Sequence, residues 1–293
     1  MKSNLVERVE SALRNPNHSL WFPELTTELV EARWLDLYND VGLSPETYGT
    51  ARAISRDASA PRRIVAWLPM ISGVESPERM LQVETLDAEF THSHEEAGVR
   101  FYSAEEINAT HVLERFKEAI TVLKSIPTLL VTVAALVRSV HVLDPGNDDY
   151  DVSFSEPHIP FSIFVSVPQD SSMTGALRVA EAIVHEAMHL QLTLIEQAVP
   201  LVRLTTRQHY SPWRGEFRSA QGVLHGLYVF CVIDLLVAAL QASPLRGPNV
   251  VDYIKRRRSE IRDQIGCIRS FQDSDDLTEI GRAFTRRMMT RFE

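Results

Sequence analysis

Apolar residues recur along much of this chain at the spacing of an α-helix. Leu5, Val9 and Leu13 lie four positions apart with charged residues between them, which predicts a helix near the start of the sequence. A second helix is predicted over residues 26–38, and the capping-box pattern at residues 103–106 predicts the start of another. The first 140 residues are therefore expected to be mostly helical.

Two later segments have the pattern of β-strands. Residues 137–143 are rich in valine and partly alternate, and residues 161–167 are rich in β-branched and aromatic residues. The second segment ends at Pro168, shortly before a proline-free run, residues 174–199, that predicts a long helix. We expect a mainly α fold with a small β-sheet beside this helix.

The C-terminal part of the chain again has helical spacing. Ser211 followed by Pro212 predicts the start of a helix that reaches about residue 242. Further helices are predicted over residues 250–271 and from about residue 276, where three apolar side chains share one face: Ile280, Phe284 and Met288. These patterns divide the chain into a helical N-terminal region, 1–130, and a region with the candidate chemistry, 131–293, expected to form one globular unit together.

The long predicted helix contains the motif His-Glu-x-x-His at His185, Glu186 and His189. Residues four apart lie on one face of a helix, so both imidazoles can bind a single metal ion with Glu186 beside it. Three such side chains packed in a core without ligands would be costly, because buried polar groups need partners. Arg178 lies two turns earlier on the same face, where an ordinary ion pair with Glu181 explains it best.

A third metal ligand is expected from the helix that follows. If this helix starts at Ser211, four polar residues form one stripe, spaced four, three and four apart: Arg214, Arg218, Gln221 and His225. His225 is the preferred third ligand, and either arginine suits a carboxylate that approaches the metal. The alternative for the arginines is pairing with a glutamate, namely Glu186, Glu196 or Glu216.

Two other polar groups are weaker candidates. His92 and His94 lie beside Glu95 and Glu96, where a solvated loop is favoured over a metal site. Ser153, Ser155 and His158 precede the second predicted strand, where they could line a pocket, although turn chemistry explains them equally well.

Composition and charge narrow the function classes. The net charge of −9 argues against a general nucleic-acid binder, which needs a basic surface. The two cysteines, Cys231 and Cys267, do not form a disulfide framework, and the first residues have no apolar signal segment. Residues 222–240 are the most apolar stretch, but His225 and Asp234 favour a buried helix over a membrane span. A cytoplasmic protein is expected.

The motif and the residues after it resemble the HExxH-motif peptide-modification family. The resemblance rests on Val184 to Leu190, on Tyr-Ser-Pro-Trp-Arg at 210–214 with Arg218, and on residues 222–230 around His225; it covers about residues 130–240. Members of that family are Fe(II)- and 2-oxoglutarate-dependent oxygenases that hydroxylate β-carbons of ribosomally made precursor peptides. The resemblance implies zincin-like core elements and a peptide partner, recognised through a leader segment or a carrier, with dioxygen as co-substrate.

Carried over by position, the resemblance implies that His185, His189 and His225 bind iron. It also implies that Arg218 or Arg214 binds 2-oxoglutarate. In such a site Glu186 need not be a base, and it could either accept a hydrogen bond from a group around the ligands or remain near the metal. The main alternative is a zinc metallopeptidase in which Glu186 is the general base and Glu216 a ligand. A third possibility is a metal-stabilised domain that binds a peptide leader without turnover.

Overall fold

The computed structural model describes residues 2–41, 63–71, 80–86, 88–95, 98–144, 146, 151–156, 161–241 and 248–293. The chain forms two compact units. We call Val30–Leu190 the sheet unit, and Met1–Leu29 with Gln191–Glu293 the helical unit. This division differs from the regions 1–130 and 131–293, which stay a prediction.

The sheet unit contains one mixed sheet. Its strands are β1 (Arg63–Pro69), β2 (Met80–Thr85), β3 (Arg100–Phe101), β4 (Ser139–Asp144), β5 (Ser153–Phe154) and β6 (Ser162–Ser166). The strand order is β1-β2-β4-β6-β5, with β3 paired to β4. Strands β2, β4 and β6 are parallel, whereas β1, β3 and β5 pair antiparallel with their neighbours. The two predicted strands are thus confirmed as β4 and β6.

Strands β1, β2 and β3 lie in the part of the chain predicted to be mostly helical, so that prediction is wrong for these stretches. The helices there are α2 (Pro23–Val41), α3 (Ala88–Glu95), α4 (Ala104–Ala109), α5 (Val112–Leu123) and α6 (Pro127–Leu136). The capping box is confirmed, since the Ser103 hydroxyl accepts from the Glu106 amide and the Glu106 carboxylate accepts from the Ser103 amide. Helix α2 and the later α7 (Met173–Ala198) contribute residues to both units.

Aromatic packing holds the central strands together. Phe164 of β6 stacks on Phe154 of β5 with ring centroids 4.4 Å apart, and Phe101 and His141 pack on the same ring. Every residue of β6 is buried, as expected for a strand in a covered parallel array. The order of these strands places β5 directly beside the strand that leads into α7.

The helical unit is built from four long helices and a hairpin. These elements are α1 (Lys2–Arg14), β7 (Gln208–Ser211), β8 (Glu216–Ser219), α8 (Ala220–Leu240), α9 (Pro248–Gly266) and α10 (Glu279–Met289), with a short 3-10 helix at Arg269–Asp273. Ile280, Phe284 and Met288 are buried on α10, which confirms the predicted apolar face. The described chain is mainly helical with a small mixed sheet, as expected.

The predicted helix start at Ser211 is wrong. Ser211 ends β7, and α8 begins nine residues later, where the hydroxyl of the N-cap residue Ser219 accepts from the Gly222 amide at 3.2 Å. Residues 212–215 form the turn between β7 and β8, in which Gly215 has a φ of +67°. The stripe of four polar residues therefore does not exist as a helical face: Arg214 lies in the turn and Arg218 on β8, while Gln221 and His225 lie on α8.

Helix α8 alone among the described helices is long and apolar enough to cross a membrane, and 67% of its most apolar window is buried. Its acidic residue Asp234 accepts from Arg258 Nε at 2.9 Å. Burial of this kind is typical of the core helix of a soluble protein, which agrees with the predicted buried helix.

Candidate metal centre

The two motif histidines point toward each other from consecutive turns of α7. The Nε2 atoms of His185 and His189 are 3.1 Å apart, with ring centroids 4.8 Å apart. Both side chains are half-buried, whereas most neighbouring positions of the helix are fully buried. The helix and the common face are therefore as predicted.

This separation matches the distance between two ligands of one metal ion. Imidazole nitrogens bind Zn²⁺ at about 2.0–2.1 Å, so two of them at angles of about 90–110° lie about 2.8–3.4 Å apart. Without a metal, the same separation also allows one ring nitrogen to donate to the other. The separation of the two nitrogens is therefore compatible with two ligands of one metal ion.

Glu186, the carboxylate of the motif, is almost inaccessible to solvent, with 2% of its surface exposed. Its Oε1 accepts a hydrogen bond from the Ser153 hydroxyl at 2.7 Å and lies 3.9 Å from His185 Nε2. Ser153 belongs to β5, so the sheet positions the motif carboxylate. Of the other candidates near this strand, Ser155 is half-buried and His158 lies outside the described residues.

A second contact joins the same strand segment to α7. Arg178 Nε donates to Asp151 Oδ2 at 2.8 Å, and 16% of the Arg178 side chain is exposed. An ion pair with Asp151 accounts for this arginine, and the pairing with Glu181 stays a prediction. Residues 151–153 are thus fastened to the motif helix at two points.

His92 and His94 belong to helix α3, so the predicted loop is wrong. His94 stacks on Phe154 with centroids 5.8 Å apart, and its Nε2 lies 3.4 Å from Glu156 Oε1. Helix α3 is thereby packed against β5, while Glu96 lies outside the described residues.

His225 lies on α8, in the helical unit. Its Nε2 is 2.9 Å from Glu196 Oε2, and the Gln221 amide donates to the same oxygen at 2.8 Å. Only 14% of the His225 side chain and 11% of the Glu196 side chain are exposed. A carboxylate bonded to one imidazole nitrogen is the usual arrangement around a metal-binding histidine, since it orients the other nitrogen. From the sequence, Glu196 is predicted only as a possible partner of the arginines.

The two candidate arginines are both exposed. Arg218 Nε lies 3.8 Å from Glu216 Oε1, with 43% of the Arg218 side chain exposed. The same Nε would lie 3.4 Å from a Cβ built at Gly222, so the guanidinium stem covers the first turn of α8. His225 is one turn further along that helix. Arg214 is exposed in the hairpin turn.

A buried polar network missed by sequence analysis holds the end of α7. Gln191, two residues after His189, donates to the carbonyl of Trp21 at 2.7 Å and to the Thr26 hydroxyl at 2.6 Å. The Tyr228 hydroxyl of α8 bonds to Gln191 and, at 2.7 Å, to the Leu20 carbonyl. Burial raises the pKa of Tyr228 well above its usual value, so this hydroxyl stays a donor. In the sequence, the sign of this network is Gln191 itself, a polar residue on an otherwise apolar face of the helix.

Among the residues that the structure describes, no group of three or more His, Cys, Asp or Glu side chains is arranged to hold a metal ion. No protein-family model matches the chain, and no curated protein matches it significantly.

Proposed function

We propose that this protein is a cytoplasmic Fe(II)- and 2-oxoglutarate-dependent oxygenase that hydroxylates a β-carbon of a residue in a ribosomally made precursor peptide. The observation that carries the proposal is the 3.1 Å separation of the His185 and His189 Nε2 atoms, with the buried carboxylate of Glu186 3.9 Å from His185 Nε2. The resemblance to the HExxH-motif peptide-modification family supplies the reaction class and the zincin-like core that we propose around α7. The net charge of −9 is in keeping with a peptide rather than a nucleic-acid substrate.

His185 and His189 supply two of the proposed iron ligands, and His225 is the proposed third. The contact of His225 with Glu196 supports this role, because a carboxylate partner on one ring nitrogen raises the basicity of the other. Three protein ligands leave open positions for a chelating keto acid and for dioxygen. When bound, iron would activate dioxygen, which is the oxidant. 2-Oxoglutarate would take up one oxygen atom as it is decarboxylated to succinate and CO2, and the other oxygen atom would be inserted into a peptide C–H bond.

Glu186 is proposed to orient the site. Its carboxylate is buried, accepts from Ser153 and lies 3.9 Å from His185 Nε2, so its position beside the histidine pair is fixed. The competing zinc metallopeptidase needs this carboxylate as a general base that reaches water. A Glu186→Gln variant separates the two functions, because it keeps the shape and the hydrogen bond but cannot accept a proton. The peptidase requires loss of turnover in that variant, whereas the oxygenase retains it.

Arg218 is the first choice for the 2-oxoglutarate carboxylate, and Arg214 the second. Arg218 reaches over the first turn of α8, and His225 lies on the next turn. The preference for Arg218 over Arg214 therefore rests on this proximity and not on a continuous helical face. The planar guanidinium forms two parallel hydrogen bonds with a carboxylate. Lysine keeps the charge but offers a single point of contact.

The metal assignment is tested by anaerobic loading with Fe(II) or Zn(II) followed by elemental analysis. Wild type is expected to retain about one ion per chain, and His185→Ala, His189→Ala and His225→Ala to lose it. His92→Ala, an exposed histidine on α3, is the matched control and should keep the metal. Full occupancy in the His225 variant would remove that residue from the ligand set, and preferential retention of zinc would favour the peptidase.

The co-substrate assignment is tested by titrating 2-oxoglutarate into the anaerobic Fe(II) protein and following the metal-to-ligand absorption. Arg218→Lys should weaken 2-oxoglutarate binding by about tenfold, as expected for the loss of a charged hydrogen bond, while iron content stays constant. Arg214→Lys is measured in parallel. Wild-type affinity in both variants, or no binding to wild type, would contradict the oxygenase proposal.

A further inference from the structure

The segment 203–219 of the helical unit exposes an unusual amount of apolar surface. Leu204 is fully exposed, Phe217 is 70% exposed and Tyr210 is 44% exposed. These are three of the eight large apolar side chains that are exposed among the described residues. Tyr210 and Phe217 are cross-strand partners in the β7–β8 hairpin, with ring centroids 5.9 Å apart. One face of the hairpin thus presents a pair of aromatic rings to solvent.

The segment that carries this aromatic pair is also rich in arginine, although Arg207 lies 3.8 Å from Asp276 and Arg218 lies 3.8 Å from Glu216. The segment contains four arginines and one acidic residue, Glu216, although the whole chain has a net charge of −9. The arginines are Arg203, Arg207, Arg214 and Arg218, and all four are exposed. A basic, aromatic surface on an acidic protein is complementary to an acidic partner that also carries apolar side chains.

The hairpin is firmly anchored despite its exposure. The His209 ring bonds to Asp276 at 2.6 Å, and the Arg203 amide donates to the Asp276 carbonyl at 2.7 Å. The His209 hydrogen bond holds the pKa of Asp276 below its usual value, so this anchor is charged at neutral pH. Trp213 of the turn stacks on Phe230 of α8 at 5.2 Å. A fixed surface loses little conformational entropy when it binds a partner.

The hairpin also has backbone groups suited to strand pairing. Within the described part of the chain, β7 and β8 pair only with each other, and every residue of β8 is exposed. An extended peptide can add to such an edge through main-chain hydrogen bonds, while pockets and charges on the face select its side chains.

We propose that the hairpin of residues 203–219 is the docking surface for an acidic segment of the peptide substrate, bound in extended form along β8. The choice of a peptide as partner rests on the proposed function. Phe217 and Tyr210 contact apolar side chains of that segment, and Arg203, Arg207 and Arg214 contact its carboxylates. Nucleic acid fits less well, because the net charge of −9 opposes binding of a phosphate backbone.

The test is fluorescence anisotropy with a short labelled peptide of alternating Glu and Val, without metal or 2-oxoglutarate. Loss of iron binding therefore does not affect this measurement, and the two proposals can fail separately. The peptide with Gln in place of Glu, and the peptide N-methylated at alternate residues, should each bind at least about tenfold more weakly. Phe217→Ala should weaken binding by about tenfold and Arg207→Ala by about threefold.

Matched controls are Leu35→Ala, an exposed apolar residue of α2, and Lys124→Ala, an exposed cation after α5. Both should bind the peptide as wild type does. Tyr210→Ala provides a second aromatic variant should Phe217→Ala alter the fold by circular dichroism. Equal binding of the N-methylated peptide, tighter binding of a single-stranded oligonucleotide, or dimerisation through the hairpin in sedimentation would each overturn the proposal.

Discussion

The motif carboxylate Glu186 is positioned by a residue 33 positions earlier in the chain. Ser153 donates to it at 2.7 Å, and the surrounding strand and helix leave only 2% of Glu186 exposed. A hydrogen bond to a buried ionised group is stronger than one between neutral groups, because little water competes for the acceptor. This single hydroxyl therefore matters for both stability and orientation.

We predict that Ser153→Ala lowers the free energy of unfolding by about 1–2 kcal/mol. The loss should appear in urea unfolding at neutral pH, and Ser155→Ala, which also removes a half-buried hydroxyl near β5, is the control and should change little. In a Glu186→Gln background the Ser153 substitution should cost less, since the acceptor is then neutral. An equal cost in both backgrounds would show that the hydroxyl does not act through Glu186.

At single residues, sequence predicts what helix geometry determines. The four-residue spacing of His185 and His189 places their nitrogens together because the helix is local and regular. The Ser153–Glu186 and His225–Glu196 contacts join residues 33 and 29 positions apart, so no periodicity indicates them. Ser153 is a candidate from the sequence, but its contact with Glu186 depends on the position of β5 in the sheet.

The start of α8 shows that local sequence patterns can also mispredict a whole secondary-structure element. Ser211-Pro212 has the pattern of a helix start, but serine and proline are also among the commonest residues of turns. The hairpin that replaces the first predicted turns has strands of four residues, too short for an alternating pattern to be distinguished. Strands β1 and β2 were missed for a related reason, since β2 is stabilised by parallel pairing with β4, more than 50 residues away.

Packing of the hairpin turn on α8 predicts an unusual response to a glycine substitution. A Cβ at Gly226, beside His225, would lie 2.4 Å and 2.7 Å from ring carbons of Trp213, which is itself stacked on Phe230. Alanine favours a helix over glycine by about 1 kcal/mol, but overpacking costs about 1–3 kcal/mol. We expect Gly226→Ala to lower the free energy of unfolding by up to about 2 kcal/mol.

Gly266→Ala is the matched control on α9, because nothing lies within 4 Å of its added methyl group. That variant should be as stable as wild type or more stable by about 0.5–1 kcal/mol. Thermal unfolding of both variants measures whether Gly226→Ala lowers stability while Gly266→Ala does not. Stabilisation by Gly226→Ala would mean that the indole moves easily and does not fix the turn.

For the molecule as a whole, the two compact units are not consecutive in sequence. The helical unit combines the first 29 residues with residues 191–293, and both boundaries fall inside helices, α2 and α7. Linkers rich in glycine, proline or polar residues are the usual signs of a boundary, and an uninterrupted helix provides none. Fold class and most of the helices were predictable, whereas this division depends on contacts between distant segments.

Charge is also distributed unevenly over the molecule. The net charge of −9 acts at long range, whereas the four arginines of the hairpin act on a partner that is already close. The distance over which charges interact is about 30 Å at 0.01 M salt, about 10 Å at 0.1 M and about 3 Å at 1 M. An acidic peptide is therefore repelled by the whole protein at low salt and attracted by the hairpin at intermediate salt.

We predict that binding of the labelled Glu–Val peptide is tightest near 0.1 M salt and weaker at both 0.01 M and 1 M. At low salt the net charge opposes the approach of the peptide, and at high salt the attraction of the arginines is screened. Anisotropy titrations at the three salt concentrations measure this dependence, and the Gln–Val peptide, which is uncharged, should show no maximum. Affinity that rises steadily as salt is lowered would mean that the hairpin arginines outweigh the rest of the protein's charge at every distance.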